Sequence, residues 1–336
     1  MNFRAQQLGT TNYRRFIGLW ALTLLIASSF QGWLGSSTQA QSETGVTIDS
    51  ILAGYRNNLD GIVTGTGKMS LTYENSRESA AFKKKEYEVA FTFSGQKLLC
   101  AVNSQWIGKD ETVNVQPTQK IISDPEKVIS HKANDYAYVW PLTGESSVQD
   151  TYRFDPRNWG VRQCYAGVSV ITPDTFILKA RKGSQDPAGG WTSPVMLGSK
   201  EIDGVQAEGI QIGVRAGGEG TLISIPCRMW FAPSLGYCPV KIENVWEDGS
   251  VISSSKASFK EYKGVWFVDT AEHVSGDERY TVKVTELTLN NPVDESVFQS
   301  TSILPQGTEV VDTRGPETLS YVIGQVGNED TRSPGE

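Results

Sequence analysis

The chain has 336 residues, of which 38% are hydrophobic and 21% charged, with a formal net charge of −7. That balance suits a folded globular chain, and its acidity excludes a phosphate backbone as a natural partner. Two histidines and four cysteines leave few residues for metal or nucleophile chemistry.

The first forty residues carry Arg4, Arg14 and Arg15 but no acid, then an apolar run from Phe16 to Ala27, then a polar stretch ending Thr38-Gln39-Ala40. This order predicts a cleavable export signal over residues 1–40, because the run is too short to span a bilayer; a membrane anchor is the alternative. Phe16 follows the Arg14-Arg15 pair directly, so the pair reads as an ordinary basic region and not a twin-arginine motif. The first cysteine is Cys100, too late for lipid attachment after the signal. Removing three arginines takes the net charge from −7 to −10. No later stretch reaches about 18 uninterrupted apolar residues, so no transmembrane span is expected after cleavage. The expected location is the periplasm or cell envelope.

In the mature part, Ile48, Ile51, Leu52, Tyr55 and Leu59 recur at helical spacing, with Thr47 as cap and Gly61 as stop, which predicts an amphipathic helix. The period then changes to two: Tyr87, Val89, Phe91 and Phe93 alternate with Glu86, Glu88, Ala90 and Thr92, the pattern of a strand with one buried face. Lys83-Lys84-Lys85 before it reads as a solvated turn. Gly65-Thr66-Gly67 lacks the third glycine of a dinucleotide loop and reads as a sheet start or turn. Thr172-Pro173-Asp174 starts a second helix through Phe176 to Ala180, stopped at Gly183. The Gly-rich stretch from Gly183 to Gly220 reads as a surface connection, with a moving loop as the alternative.

Beyond it the strand pattern repeats. Ile225, Cys227, Met229 and Phe231 alternate before a turn at Pro233; Val240, Ile242 and Trp246 share a phase after it. Further strands read over Ser253 to Tyr262, Val265 to Thr270 and Tyr280 to Leu289, a meander with a bulge or bend between Val284 and Leu287. With no proline-rich or low-complexity linker, residues 41–312 are expected to form one sheet-based domain, and 313–336 a flexible tail.

Cys227 and Cys238 flank the Pro233 turn, so a bridge between them, with Cys100 to Cys164 as its companion, is the first of three pairings; buried free thiols are the equal alternative. Zinc is disfavoured, since Cys-x-x-Cys is absent and His131 and His273 stand alone, each expected to be an exposed structural histidine. No Gly-x-Ser-x-Gly elbow is present, and a catalytic set is not visible, so no enzyme activity and no cofactor are expected.

The stretch Met229 to Glu243 (Met-Trp-Phe-Ala-Pro-Ser-Leu-Gly-Tyr-Cys-Pro-Val-Lys-Ile-Glu), followed by Tyr262-Lys263-Gly264-Val265-Trp266, resembles the central strands of periplasmic proteins of the lipoprotein-carrier superfamily. Leu289 to Phe298 and Pro305 to Asp312 resemble that group's closing segment. The opening helix and Asp155-Pro156-Arg157-Asn158-Trp159-Gly160 are similar to a longer envelope branch of it, often without assigned function. The resemblance implies an α+β fold: a curved antiparallel sheet forming a half-barrel, covered by a few helices, with an apolar hollow that in the carriers takes lipoprotein acyl chains.

The leading expectation is therefore a non-catalytic binding protein or carrier for a lipid, lipoprotein or other apolar ligand. Tyr87, Val89, Phe91, Phe93, Met229, Phe231, Ile242 and Trp246 are candidates for the hollow, each with a plainer reading as core under the helices. An envelope protein-interaction or stress-sensing regulator without lipid cargo is the second expectation, favoured if the hollow is filled by its own side chains. A secreted hydrolase is the third, and needs converging carboxylates or a histidine pair in a cleft.

Overall fold

The computed structural model describes residues 45–132, 136–141, 153–159, 164–166, 169–184, 190–216, 223–315 and 317–324. All lie in one unit, Ala40–Glu336. The expected signal over 1–40, Gly160 and residues 325–336 of the expected tail lie outside them.

Helix α1 (Ile48–Asp60) begins where the cap chemistry places it: the Ser50 amide donates to the Thr47 hydroxyl, and the Thr47 amide donates to Ser50 Oγ. Its apolar stripe, Ile51, Leu52 and Tyr55, is buried. The second helix, α2 (Pro173–Gly183), has Pro173 at its first turn and Thr172 as N-cap residue, but the Thr172 hydroxyl is engaged with Asp174 and Thr175 side chains instead of a backbone amide.

The strands, in chain order, are β1 (Thr64–Asn75), β2 (Phe82–Ser94), β3 (Lys97–Gly108), β4 (Val113–Ser123), β5 (Lys127–Lys132), β6 (Tyr136–Pro141), β7 (Cys164–Ala166), β8 (Ser169–Ile171), β9 (Val195–Ile202), β10 (Val205–Ala216), β11 (Ile223–Ala232), β12 (Cys238–Val245), β13 (Val251–Tyr262), β14 (Val265–Ser275), β15 (Glu278–Leu289), β16 (Glu309–Asp312) and β17 (Leu319–Val322). Fifteen of the described strands form one open sheet in the order β17-β16-β6-β5-β4-β3-β2-β1-β15-β14-β13-β12-β11-β10-β9; β7 and β8 pair separately. The large sheet is antiparallel throughout except where β16 runs parallel to β6. Two meanders, β1 to β6 and β9 to β15, meet where β1 pairs with β15. The bulge expected near Val284 is there: Met69 opposes Val284 and Lys68 opposes Glu286, leaving Thr285 as the extra residue.

Gly65 and Gly67 lie inside β1 because aromatic rings lie over them. A Cβ at Gly65 would meet the Phe93 ring at 2.4 Å, and one at Gly67 would meet the Glu286 carbonyl oxygen at 2.0 Å and the Phe91 ring at 2.8 Å. These glycines serve close packing of one strand's rings over its neighbour's backbone.

Several expectations change. The stretch from Gly183 to Gly220 is not a plain connection: it carries β9 and β10, with Gly198 at positive φ beside the register shift between the two strands. Glycine content concealed a bulged pair. Lys83, Lys84 and Lys85 are not in a turn but in β2. Leu319–Val322, within the expected tail, pairs with β16. The Pro233 hairpin does not bring its cysteines together, because Cys238 opposes Ala232 whereas Cys227 opposes Asn244, several residues further along. Cys100, Cys227 and Cys238 are free, buried thiols; the Cys164 side chain lies outside those described.

Candidate functional site

One face of the sheet holds two apolar clusters. The first is built on β1, β2, β3, β14 and β15 from Leu71, Val89, Phe91, Phe93, Val102, Phe267 and Val282 among others, and Leu59 of α1 packs on it. The second is built on β10, β11 and β12 from Ile210, Ile212, Met229, Phe231 and Ile242, roofed by Ile51 and Leu52 of α1 and by Phe176, Ile177 and Ala180 of α2. Helix α1 thus straddles both, and Asn58 fixes it: its Nδ2 donates to the Trp266 carbonyl at 3.0 Å and its Oδ1 accepts the Trp266 amide at 2.7 Å.

A short segment, residues 153–159, roofs the first cluster. Phe154 and Trp159 join the apolar packing, against Tyr87 and Tyr280 respectively. Cys100 Sγ donates to the Phe154 carbonyl at 3.3 Å, and Trp159 Nε1 donates to the Arg153 carbonyl at 2.6 Å. Between them Arg157, 1% exposed, grips the Asp155 carboxylate with Nε and Nη2 at 2.8 and 2.7 Å, donates to the Gly95 carbonyl, and stands 4.4 Å over the Phe93 ring. The Asp155 carboxylate also caps the turn by accepting the Arg157 amide. Burial pushes the Cys100 thiol well above its ordinary range, with the nearby Asp155 charge acting the same way.

Of the eight residues expected to line a hollow, seven lie on this covered face, but in two groups. Val89, Phe91 and Phe93 belong to the first cluster with Tyr87 at its margin; Met229, Phe231 and Ile242 belong to the second. Trp246 does not join them: it is 44% exposed, in the turn after β12. The hydrogen-bonded turn from Trp246 to Ser250 takes it out of the strand phase.

At the seam between the clusters the face turns polar. Ser255 opposes His273, with Oγ 2.8 Å from Nδ1, and Asn244 Nδ2 donates to Ser253 Oγ at 2.9 Å. Contrary to expectation, His273 lies within β14 and is buried; burial lowers its pKa to about 4, so the imidazole is neutral. Ile242, His273 and Trp159 border a cavity of about 10 Å³ here, the size of one water.

Among the described residues, no group of three or more His, Cys, Asp and Glu is placed to hold a metal ion, and no helix is long and apolar enough to cross a membrane.

The sequence also missed a cluster at the β1–β2 end of the same face. Lys85, half-buried, lies over the Phe82 and Trp106 rings, 3.9 and 4.8 Å from their centroids. The alternation of β2 places Lys85 in phase with Tyr87, Val89, Phe91 and Phe93, which could have marked it as inward-facing.

No known protein-family model matches the chain, and no curated protein matches it in sequence. Solved structures do resemble it. A DUF1329 family protein from Desulfovibrio piger is 9% identical, with a TM-score of 0.40 over 75% of this chain and 98% of that one. A putative outer membrane lipoprotein-sorting protein domain from Vibrio parahaemolyticus is 10% identical, with a TM-score of 0.41 over 75% and 97%. A LolA superfamily protein from Nitrosomonas europaea is 12% identical, with a TM-score of 0.40 over 77% and 100%.

Proposed function

We propose that the protein is an exported, non-catalytic binding protein or carrier whose open sheet curves as a half-barrel and takes an acyl chain, of a lipid or lipoprotein, against its covered apolar face. The observation that carries this reading is the roof. Among the described residues, the aromatic and aliphatic surface of β1, β2, β3, β14 and β15 is covered by a short segment, residues 153–159, and by Leu59 of one amphipathic helix. A cover of that size is replaceable by a ligand of similar shape. Burial contributes about 0.8 kcal/mol per methylene, so about twelve methylenes offer about 10 kcal/mol against the cost of displacing Phe154 and Trp159 and of association.

In the form described, the face is packed by the protein's own side chains, and the cavity at the seam holds about 10 Å³. This filling favours a second reading, an envelope interaction or stress-sensing protein that carries no lipid. The two separate in one experiment: native mass spectrometry of the protein purified from its envelope fraction, followed by titration of the stripped protein with a long-chain acyl probe. A stoichiometric acylated molecule, or saturable probe uptake that weakens when Phe91 is replaced by Asp while folding is retained, is the expected result. Ligand-free protein that also takes up no probe rejects the carrier reading and leaves the second.

A further inference from the structure

We infer that the protein pairs with a second copy of itself through the free edge of β4, in an antiparallel ladder with Val115 on the two-fold axis. Strand β4 runs from Val113 to Ser123, and β3 pairs with both of its halves. On the other side β5 pairs only with Gln119 to Ser123. Among the described residues, no strand pairs with the outer side of the first half, Val113-Asn114-Val115-Gln116-Pro117-Thr118.

An open row of amides and carbonyls recruits other strands, so unpaired edges are usually kept short, charged or bulged. The two ends of the sheet follow that rule: β17 has four residues, and β9 carries a bulge beside Gly198 and then Lys200 and Glu201. The first half of β4 does not. It holds no charged residue, three of its six residues are β-branched, and Val113 and Val115 are 54% and 76% exposed. Pro117, which has no amide to donate, bounds the usable edge towards its end.

A second copy matches this edge in both side chains and charge. Antiparallel pairing about Val115 sets Val115 against its counterpart, Asn114 against Gln116 and Val113 against Pro117. Apolar side chains then meet on one face and side-chain amides on the other, favourable cross-strand pairs in each case. The flanking charges are complementary: Lys109-Asp110-Glu111 before the edge carries one net negative charge, and Lys120 after it one positive. Antiparallel order lays the start of each strand beside the end of its copy, so these opposite charges approach one another. The ladder consumes the free half of β4 in both copies, and the assembly closes at two.

Val113 and Val115 lie opposite Ile107 and Gln105, whereas Trp106, on the covered face, lies opposite Asn114. Alternation therefore puts both valines on the reverse of the sheet, away from the acyl-binding face. Self-pairing and acyl binding are thus independent.

The test is sedimentation velocity of the full mature protein from about 5 to 500 µM, for the parent, Val115→Lys, Val115→Glu and an equimolar mixture of those two variants. Because the contact is one short ladder, the parent is expected to dimerise with a Kd of about 10–100 µM. Each variant alone sets like charges against each other on the axis and should dimerise about 5-fold more weakly or worse, while the mixture should recover the dimer. Val115→Thr, which keeps the branched side chain, should behave as the parent. Val115 is exposed, so thermal unfolding of all three variants should match the parent. A parent that stays monomeric over the whole range overturns the inference. So does a dimer that both charged variants retain, since it would form through another surface. Loss in both charged variants without recovery in their mixture overturns the ladder centred on Val115.

Discussion

Arg157 is the largest of the fully buried side chains, and a buried guanidinium is tolerated only because its partners are built in. Replacing it with Met leaves the Asp155 carboxylate buried without its main counter-charge, and we expect a loss of about 3–5 kcal/mol in denaturant unfolding. Replacing Asp155 with Leu as well should recover part of that loss. Unfolding of Arg157→Met indistinguishable from the parent would show that the pair does not hold the roof. His273 gives a pH signature. Its folded pKa of about 4 lies below the unfolded value of about 6.5, so its contribution is complete above pH 6.5 and falls as pH drops toward 4. The loss should approach about 3 kcal/mol, with a slope of about 1.4 kcal/mol per pH unit between pH 6 and 5. His273→Gln should flatten the stability curve in that window; an unchanged slope would rule the imidazole out. Neither role was legible in the sequence. Arg157 sits in a polar hexapeptide and His273 near a suspected strand end, and the burial of each depends on groups distant in the chain, among them Phe93 and Gly95 for Arg157 and Ser255 for His273.

The elements that sequence reading recovered are those whose signals are local. Thr47 and Ser50 fix the start of α1, and the two-residue alternation in β2, β11 and β15 fixes their faces, down to the bulge at Thr285. The elements it missed lack such signals: β9 and β10 hide behind glycines, and the triple lysine looks like a turn until its third member is counted in phase. Placement of α1 is likewise non-local and depends on Asn58, 5% exposed and bonded to both backbone groups of Trp266. Asn58→Ala should cost about 1–3 kcal/mol, since it removes the side-chain partner of a part-buried amide and carbonyl at Trp266. Amide exchange at Trp266 reads this directly: faster exchange with α1 still helical is the expected outcome, and unchanged protection would mean that apolar packing alone seats the helix.

Over the molecule, the pairing of β1 with β15 joins two meanders into one sheet; the first cluster spans that junction and the second lies on β10 to β12. That architecture explains why seven of the eight residues expected to share one hollow divide between two clusters. Alternation reports which face a side chain takes but not how far along the sheet its strand lies. It also explains why the cysteine pairing could not be read from spacing, because strand register decides it.

The junction also has a consequence for how the chain is made. Val63 and Asn290, hydrogen-bonded beside it, are 227 residues apart. Ribosomes add about 5–20 residues per second, so β1 waits on the order of 10–45 s before β15 is synthesised. During that interval β2 can cover one edge of β1, while the other presents unpaired amides and carbonyls beside the Leu71 and Phe91 surface. The nascent protein is thus most vulnerable to pairing with foreign strands midway through its own synthesis, and a holdase acting in that window would protect it more than one acting after release.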